Sequence, residues 1–359
     1  MSGKHGTILR GLMSASHSRL SQGLFGRMFR SLPPAHFGST EAENIANLHK
    51  LGDAMSADFD PPKDGKDEEE SGIPALYTYL GQFIDHDITF DPSSSLQKQN
   101  DPDALIDFRT PAFDLDNVYG RGPDDQPYMY DGDAFLLGDS IKGGDPNASD
   151  LPRNNAKRRR ALIGDPRNDE NSIVSQLQGL FLRFHNRLLA ESKLSFEDVQ
   201  RLVRFHYQYV VMNDFLPRIV NSNVLDQLKS GPYYDPSKLR FFHWKNEPFM
   251  PVEFSVAAYR LGHSMVRPGY RLNDATLQPI FPVLPNFPEG LTGFRAMNPA
   301  WGIDWGKFID IDIRTYDGSA ADNQKRLQLA YRIDTSLVNP LHNLPATVVG
   351  DPPSLEQDG

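Results

Sequence analysis

One apolar stripe of helical period constrains this chain more than any other feature. Ile173, Leu177, Leu180, Phe181, Phe184, Leu188 and Leu189 recur at three- and four-residue steps. That spacing lines one face of an α-helix, so a helix is predicted over 171–192 with one side to bury. Leu202, Phe205, Tyr209, Val210 and Met212 predict a second over 196–221. A third is predicted over about 253–266, carrying His263. Tyr77, Leu80, Phe83, Ile84 and Ile88 put a fourth around His86. No alternating run of similar length announces a large sheet. The expected fold class is mainly α, with long loops and little β. Residues 60–72 and 91–160 read as polar, turn-rich loops, the latter ending in the basic run 157–160, a solvated face.

Length and charge narrow the classes. The chain has 359 residues and shows neither an internal repeat nor a second-domain boundary, so residues 41–359 read as one domain behind an N-terminal arm, 1–40. A net charge of −10 argues against nucleic-acid binding, which needs a basic face. Cysteine is absent, which excludes disulfides, thiolate metal sites, a thiol nucleophile and a C-x-x-C-H haem attachment. Metal chemistry therefore falls to His, Asp, Glu and backbone oxygens. No run of about 18 apolar residues suggests a spanning helix, and no signal-peptide core is seen. These signs point inside the cell or to non-classical export. The arm carries Lys4, Arg10, Arg19, Arg27 and Arg30 before the first acid, Glu41. Packing on its own domain is the preferred reading; contact of residues 1–30 with an anionic membrane surface is the other.

Four segments concentrate candidate chemistry. Asp85-His86-Asp87 places an imidazole between two carboxylates, and successive helical side chains point about 100° apart. The three therefore serve different directions, or form an ordinary charged surface. In T-P-A-F-D-L-D-N-V-Y-G, residues 110–120, oxygens at Thr110, Asp114 and Asp116 suit a hard cation such as Ca²⁺, or an Asx-rich turn. The EF-hand glycine is missing. G-D-P-R-N-D-E-N, 164–171, reads as a helix cap with Asn168 or Asp169 as capping residue, although Arg167 is unexpected there. A-Y-R-L-G-H, 258–263, offers His263 as an axial haem ligand or as a structural histidine. His185 and His206 read as structural.

Taken together, these segments resemble the animal-type haem peroxidases of the peroxidase–cyclooxygenase superfamily, bacterial members especially, over about residues 73–350. The motifs are Y-L-G-Q-F-I-D-H-D-I-T-F at 79–90, R-T-P-A-F-D-L-D-N-V-Y-G at 109–120, A-L-I-G-D-P-R-N-D-E-N at 161–171, L-R-F-H-N-R-L at 182–188 and Y-R-L-G-H at 259–263. The resemblance implies the family's helical fold, a haem b cofactor and a calcium ion. It makes His86 the distal acid–base group, Gln82 its neighbour and Arg167 the distal arginine. It makes His263 the ligand of haem iron and Arg260 a partner of a haem propionate. Asp85 and Glu170 match the carboxylates that form ester links to haem. Asp87, Thr110, Asp114, Asp116 and the carbonyl of Ala112 match the calcium ligands. Asn171 stands where some members carry a methionine bonded to haem, so that link is not expected.

The implied reaction reduces H₂O₂ and oxidises a small donor or halide, with His86 moving a proton between the peroxide oxygens. Arg167 would stabilise the departing charge. Family members normally continue beyond the equivalent of Asp351 and supply an Asn that hydrogen-bonds the proximal His. The domain thus reads as C-terminally short, with the support of His263 in question. Two other readings stand beside this one. Fatty-acid dioxygenases of the superfamily place a radical-forming Tyr three residues before the proximal His; that position is Arg260 here, with Tyr259 four before, which favours a peroxidase. The last is a truncated, non-catalytic scaffold.

Overall fold

A computed structural model describes residues 23–33, 35–57, 69–90, 106–157, 159–244, 248–312, 326–342 and 344. Residues 1–22 of the arm, most of the predicted loop 60–72, and residues 91–105 of the predicted loop 91–160 lie outside the described residues.

Among the described residues the long helices are α1 (Glu41–Met55), which buries no residue, α2 (Leu76–Ile88), α3 (Ser172–Glu191) and α4 (Phe196–Val210). The predicted helices around His86, over 171–192 and over 196–221 are all present. The last is continuous only with a π-helical turn, Val211–Phe215, between α4 and the short helix Leu216–Ile219. Strands are short: β1 (Gly23–Gly26), β2 (Glu70–Pro74), β3 (Ile106–Asp107), β4 (Met250–Pro251), β5 (Gly269–Asn273), β6 (Thr276–Pro279) and β7 (Leu329–Tyr331). β1 pairs antiparallel with β3 and parallel with β4, β5 with β6, and β7 with β2. The fold is mainly α with little sheet, as expected.

Two expectations need correction. The third helix is broken into one turn, Val252–Ser255, and a 3₁₀ segment, Ala258–Met265. Ala257, at φ −127° and ψ −75°, leaves helical geometry between them, and Glu253 accepts the backbone N–H groups of Met28 and Phe29 at 3.1 Å each, tying the first turn to the chain after β1. The cap of α3 is Asn171, not Asn168 or Asp169. Its side-chain oxygen accepts from Ile173 N at 3.1 Å and Val174 N at 2.9 Å. Residues Pro166–Asp169 form a separate 3₁₀ turn capped by Asp165, which moves the helix start onward.

α2 is buried on nearly every side and runs through the core. Phe83 stacks on Phe181 of α3 at 4.7 Å between ring centres, and Tyr207 of α4 meets both rings edge-on. A second core gathers Tyr79, Tyr270, Trp301 and Phe308. Among the described residues, no helix is long and apolar enough to cross a membrane.

β2 and β7 are held to the 267 region by buried charge. Glu70 accepts from Arg267 Nη1 at 2.8 Å and from Arg326 Nη1 at 2.9 Å. All three side chains are at most 4% exposed. Removing the acid takes the shared carboxylate from two buried cations, so Glu70→Ala should lose about 3–5 kcal/mol in chemical denaturation. A loss under 1 kcal/mol would show that water already reaches this cluster.

Candidate active site

The last turns of α2 present His86 to the 3₁₀ turn before α3. His86 is 4% exposed. Its Nδ1 lies 2.7 Å from Asn168 Oδ1, and its Nε2 lies 3.8 Å from Glu170 Oε1. Burial, reinforced by the charge of Arg167, pushes the imidazole down to about 4 against the opposing pull of Asp165 and Asn168. At neutral pH it is an uncharged ring. Gln82, one helical turn earlier on the same face, donates from Nε2 to Glu170 and accepts from Asn171 Nδ2 at 3.0 Å.

Asp165 anchors this side. It accepts from Arg109 Nη2 and Arg167 Nη2, both at 2.8 Å, and from Arg167 Nε at 3.1 Å. Burial alone would lift this carboxyl; the bond from Arg167 and the charge of Arg109 outweigh it and hold it down to about 2. Arg167 also donates to the carbonyls of His86, at 3.1 Å, and Thr89, and lies 4.8 Å over the Phe90 ring. A cation at these terminal carbonyls suits the helix dipole. The guanidinium therefore clamps the end of α2, while its charge still reaches His86, Asp85 and Glu170.

His263 and Arg260 lie exposed on the 3₁₀ segment 258–265. His263 Nδ1 is 2.9 Å from the carbonyl oxygen of Arg260. A carbonyl can only accept, so Nδ1 is the donor in this bond and Nε2 takes no part in it. A Cβ added at Gly262 would meet nothing within 4 Å, so the surface beside the imidazole is open. Asp85, half-buried, joins the two sides. Burial raises its carboxyl, while Arg260, Arg167 and His263 all lower it. Tyr259, on the same segment, donates its hydroxyl to Gly81 O of α2 at 3.0 Å.

The remaining sequence candidates gather under α2. Asp87 is fully buried, and neither carboxylate oxygen has a hydrogen-bond partner among the described residues. Burial raises Asp87, Asp114 and Asp116, and the charge of Asp114 lifts the other two further. Thr110 Oγ1 donates to the Asp114 carboxylate, and Ala112 is exposed in the same loop. The carboxylates are near enough to repel but not drawn around a point: among the described residues no three acidic or imidazole groups already form a metal site. Three residues carried no site role in the sequence reading: Asp165 and Asn168, which act on His86, and Gln178, which bonds to Asn168. The first two lie inside G-D-P-R-N-D-E-N, where an Asx-rich run before a helix reads as a cap.

The donor set fits haem. One neutral imidazole faces a carboxamide and a carboxyl group, and a second, on an open surface, has a free Nε2 beside an arginine. A family profile described as animal haem peroxidase matches residues 96–286. Thyroid peroxidase of Canis lupus familiaris is 33% identical over 128 residues, which span 33% of this chain and 13% of that protein. Human thyroid peroxidase is 31% identical over 164 residues, 43% of this chain and 16% of that one. The chain thus matches only a small part of these relatives. Among solved structures, peroxidase A from Dictyostelium discoideum aligns with a TM-score of 0.49 at 14% identity, covering 89% of this chain and 66% of that one.

Burial, opposed by Arg167 and assisted by Asp165 and Asp85, raises Glu170 from an ordinary 4.5 to about 7. The folded chain holds this proton more tightly than the unfolded one. The stability it contributes is complete below pH 4.5 and is lost as pH rises to about 7. In the haem-free chain, Glu170→Gln should therefore gain on the parent across that window and plateau above it, read by urea denaturation at a series of pH values. A difference independent of pH would contradict a raised Glu170 carboxyl.

Proposed function

The chain belongs to the animal haem peroxidase family, and from that premise we propose that it binds haem between His86 and His263 and reduces hydrogen peroxide. The observation that carries this reading is His86 itself: buried, neutral, tied at Nδ1, with Nε2 3.8 Å from Glu170. When bound, haem would supply the iron that takes up peroxide and the electrons that break its O–O bond.

The chain's own residues would do the rest. Nε2 of His86 accepts a proton from one peroxide oxygen and returns it to the other, which leaves as water. A base held neutral by burial is ready for the first transfer, and the carboxylate of Asp165 eases the charge it carries between the two. Gln82 orients through its bond to Glu170. Arg167 keeps the local field positive and fixes the helix end, so that negative charge on the departing oxygen is favoured. His263 would hold the iron through Nε2, its ring oriented by the Arg260 carbonyl. Arg260 suits a propionate, and Asp85 and Glu170 are the two carboxyls suited to ester links. Electrons would come from a small donor or halide. Tyr259 spends its hydroxyl on Gly81, and Arg260 occupies the position three before His263; both favour peroxide reduction over fatty-acid oxygenation.

A calcium ion is the natural partner for Asp87, whose oxygens are buried and unsatisfied. Thr110, Ala112, Asp114 and Asp116 would complete an oxygen cage, joining α2 to the 110–116 loop directly after His86.

Haemin titrated into the parent should give a sharp Soret band that His263→Ala loses. In the loaded protein, His86→Ala should slow the reaction with peroxide by about 10²–10⁴-fold. A flat titration would refute haem binding, and unchanged peroxide kinetics would remove His86 from the reaction. Calcium at a hundredfold excess over Kd should add about 2.7 kcal/mol of stability, visible as a higher Tm that Asp87→Ala abolishes. A Tm indifferent to calcium in the parent would sink that assignment.

A further inference from the structure

Asn168 and Gln178 have no role in the reaction as described, yet both are 0% exposed and stand in line behind His86. Asn168 Nδ2 donates to Gln178 Oε1 at 2.8 Å, which turns Asn168 Oδ1 toward His86 Nδ1 at 2.7 Å. We propose that this Gln178–Asn168 relay is a positioning device that selects the tautomer of His86, keeping the proton on Nδ1 and leaving Nε2 as the acceptor.

The argument is one of donors and acceptors. A neutral imidazole has one N–H and one lone pair. A carboxamide oxygen can only accept, so the nitrogen facing it must carry the hydrogen. The distance of 2.7 Å sits at the short end of the N–H···O range. The amide is fixed from both ends. Asn168 N donates to Asp165 O at 3.1 Å within the 3₁₀ turn, and Gln178 is locked in the interior of α3. Gln178 Nε2 has no partner among the described residues. Turning both amides over would leave Oε1 orphaned instead, and would move the proton to Nε2. One residue pair therefore decides whether the inward nitrogen can take a proton at all. Its catalytic meaning rests on the peroxidase reading; the tautomer does not.

The test is ¹⁵N and ¹³C NMR of the full haem-free chain with labelled histidine at pH 7.5, with His86 assigned by the signal lost in His86→Gln. The parent should show a protonated Nδ1 and a bare Nε2. Asn168→Leu, which has no acceptor, should shift the proton wholly or partly to Nε2, and Asn168→Asp, which keeps one, should restore Nδ1–H. Should Asn168→Leu not fold, Gln178→Met, which leaves Asn168 in place without its anchor, should show a partial shift of the same signals. A parent protonated at Nε2, or a folded Asn168→Leu or Gln178→Met identical to it, overturns the proposal. In haem-loaded protein, Asn168→Leu should react with peroxide about 10²-fold more slowly at an unchanged Soret band, with Asn168→Asp within tenfold of the parent. If the parent binds no haem, the peroxidase reading fails while the NMR result still decides the tautomer.

Discussion

The buried carboxylate of Asp165 grips two guanidinium groups, and most of the surrounding geometry depends on that grip. Arg109 brings in the loop that follows β3, where Asp107 also accepts from Phe90 N and Arg109 N at 2.8 and 3.0 Å. Arg167 brings in the end of α2. Asp165 itself caps the 3₁₀ turn that delivers Asn168 and Glu170 to His86. One anion in a dry place thus sets the relative position of a loop, a helix end and a turn. Two cations repay its desolvation, and bidentate pairing fixes direction as well as distance.

The two histidines live in opposite solvents. His86 is packed away from water, so its proton affinity is low and its partners are fixed amides and carboxyls. His263 lies on an open surface, and a single backbone carbonyl orients it. These environments suit different tasks. A proton carrier gains from a dry, preorganised surrounding, whereas a metal ligand needs only a free lone pair and a held ring. Asp85, between them, feels both sides.

Much of this arrangement was legible in residue spacing. The stripes of α2 and α3 are strong because their apolar residues meet the core, and His86 falls where the α2 stripe puts it; on α4 the helix is present but the expected face is not the buried one, since Val199, Val203 and Tyr207 pack inward while Phe205, Tyr209 and Val210 are exposed. The break at Ala257 was not legible, because the apolar spacing of 253–266 tolerates an α or a 3₁₀ path. Tertiary bonds from Glu253 and Tyr259 belong to partners far away in sequence. The cap was misplaced for a related reason: Asp165, Asn168, Asp169 and Asn171 are all good capping residues, and the bonds from Arg109 and Arg167 to Asp165 hold a separate 3₁₀ turn ahead of α3. Gln178 was invisible. A glutamine among the apolar residues of a long helix has no local signature until the neighbouring turn places an amide against it.

The Tyr259 hydroxyl bond to Gly81 O makes the spacing of the two imidazoles a shared dimension. Gly81 also lies against the Phe215 ring, where a Cβ would come within 3.4 Å of Cζ, and Phe215 closes the π-helical turn after α4. The backbone of α2 is therefore pinned at one residue from two directions. The segment bearing His263 is thereby tied, at one carbonyl, to the helix bearing His86.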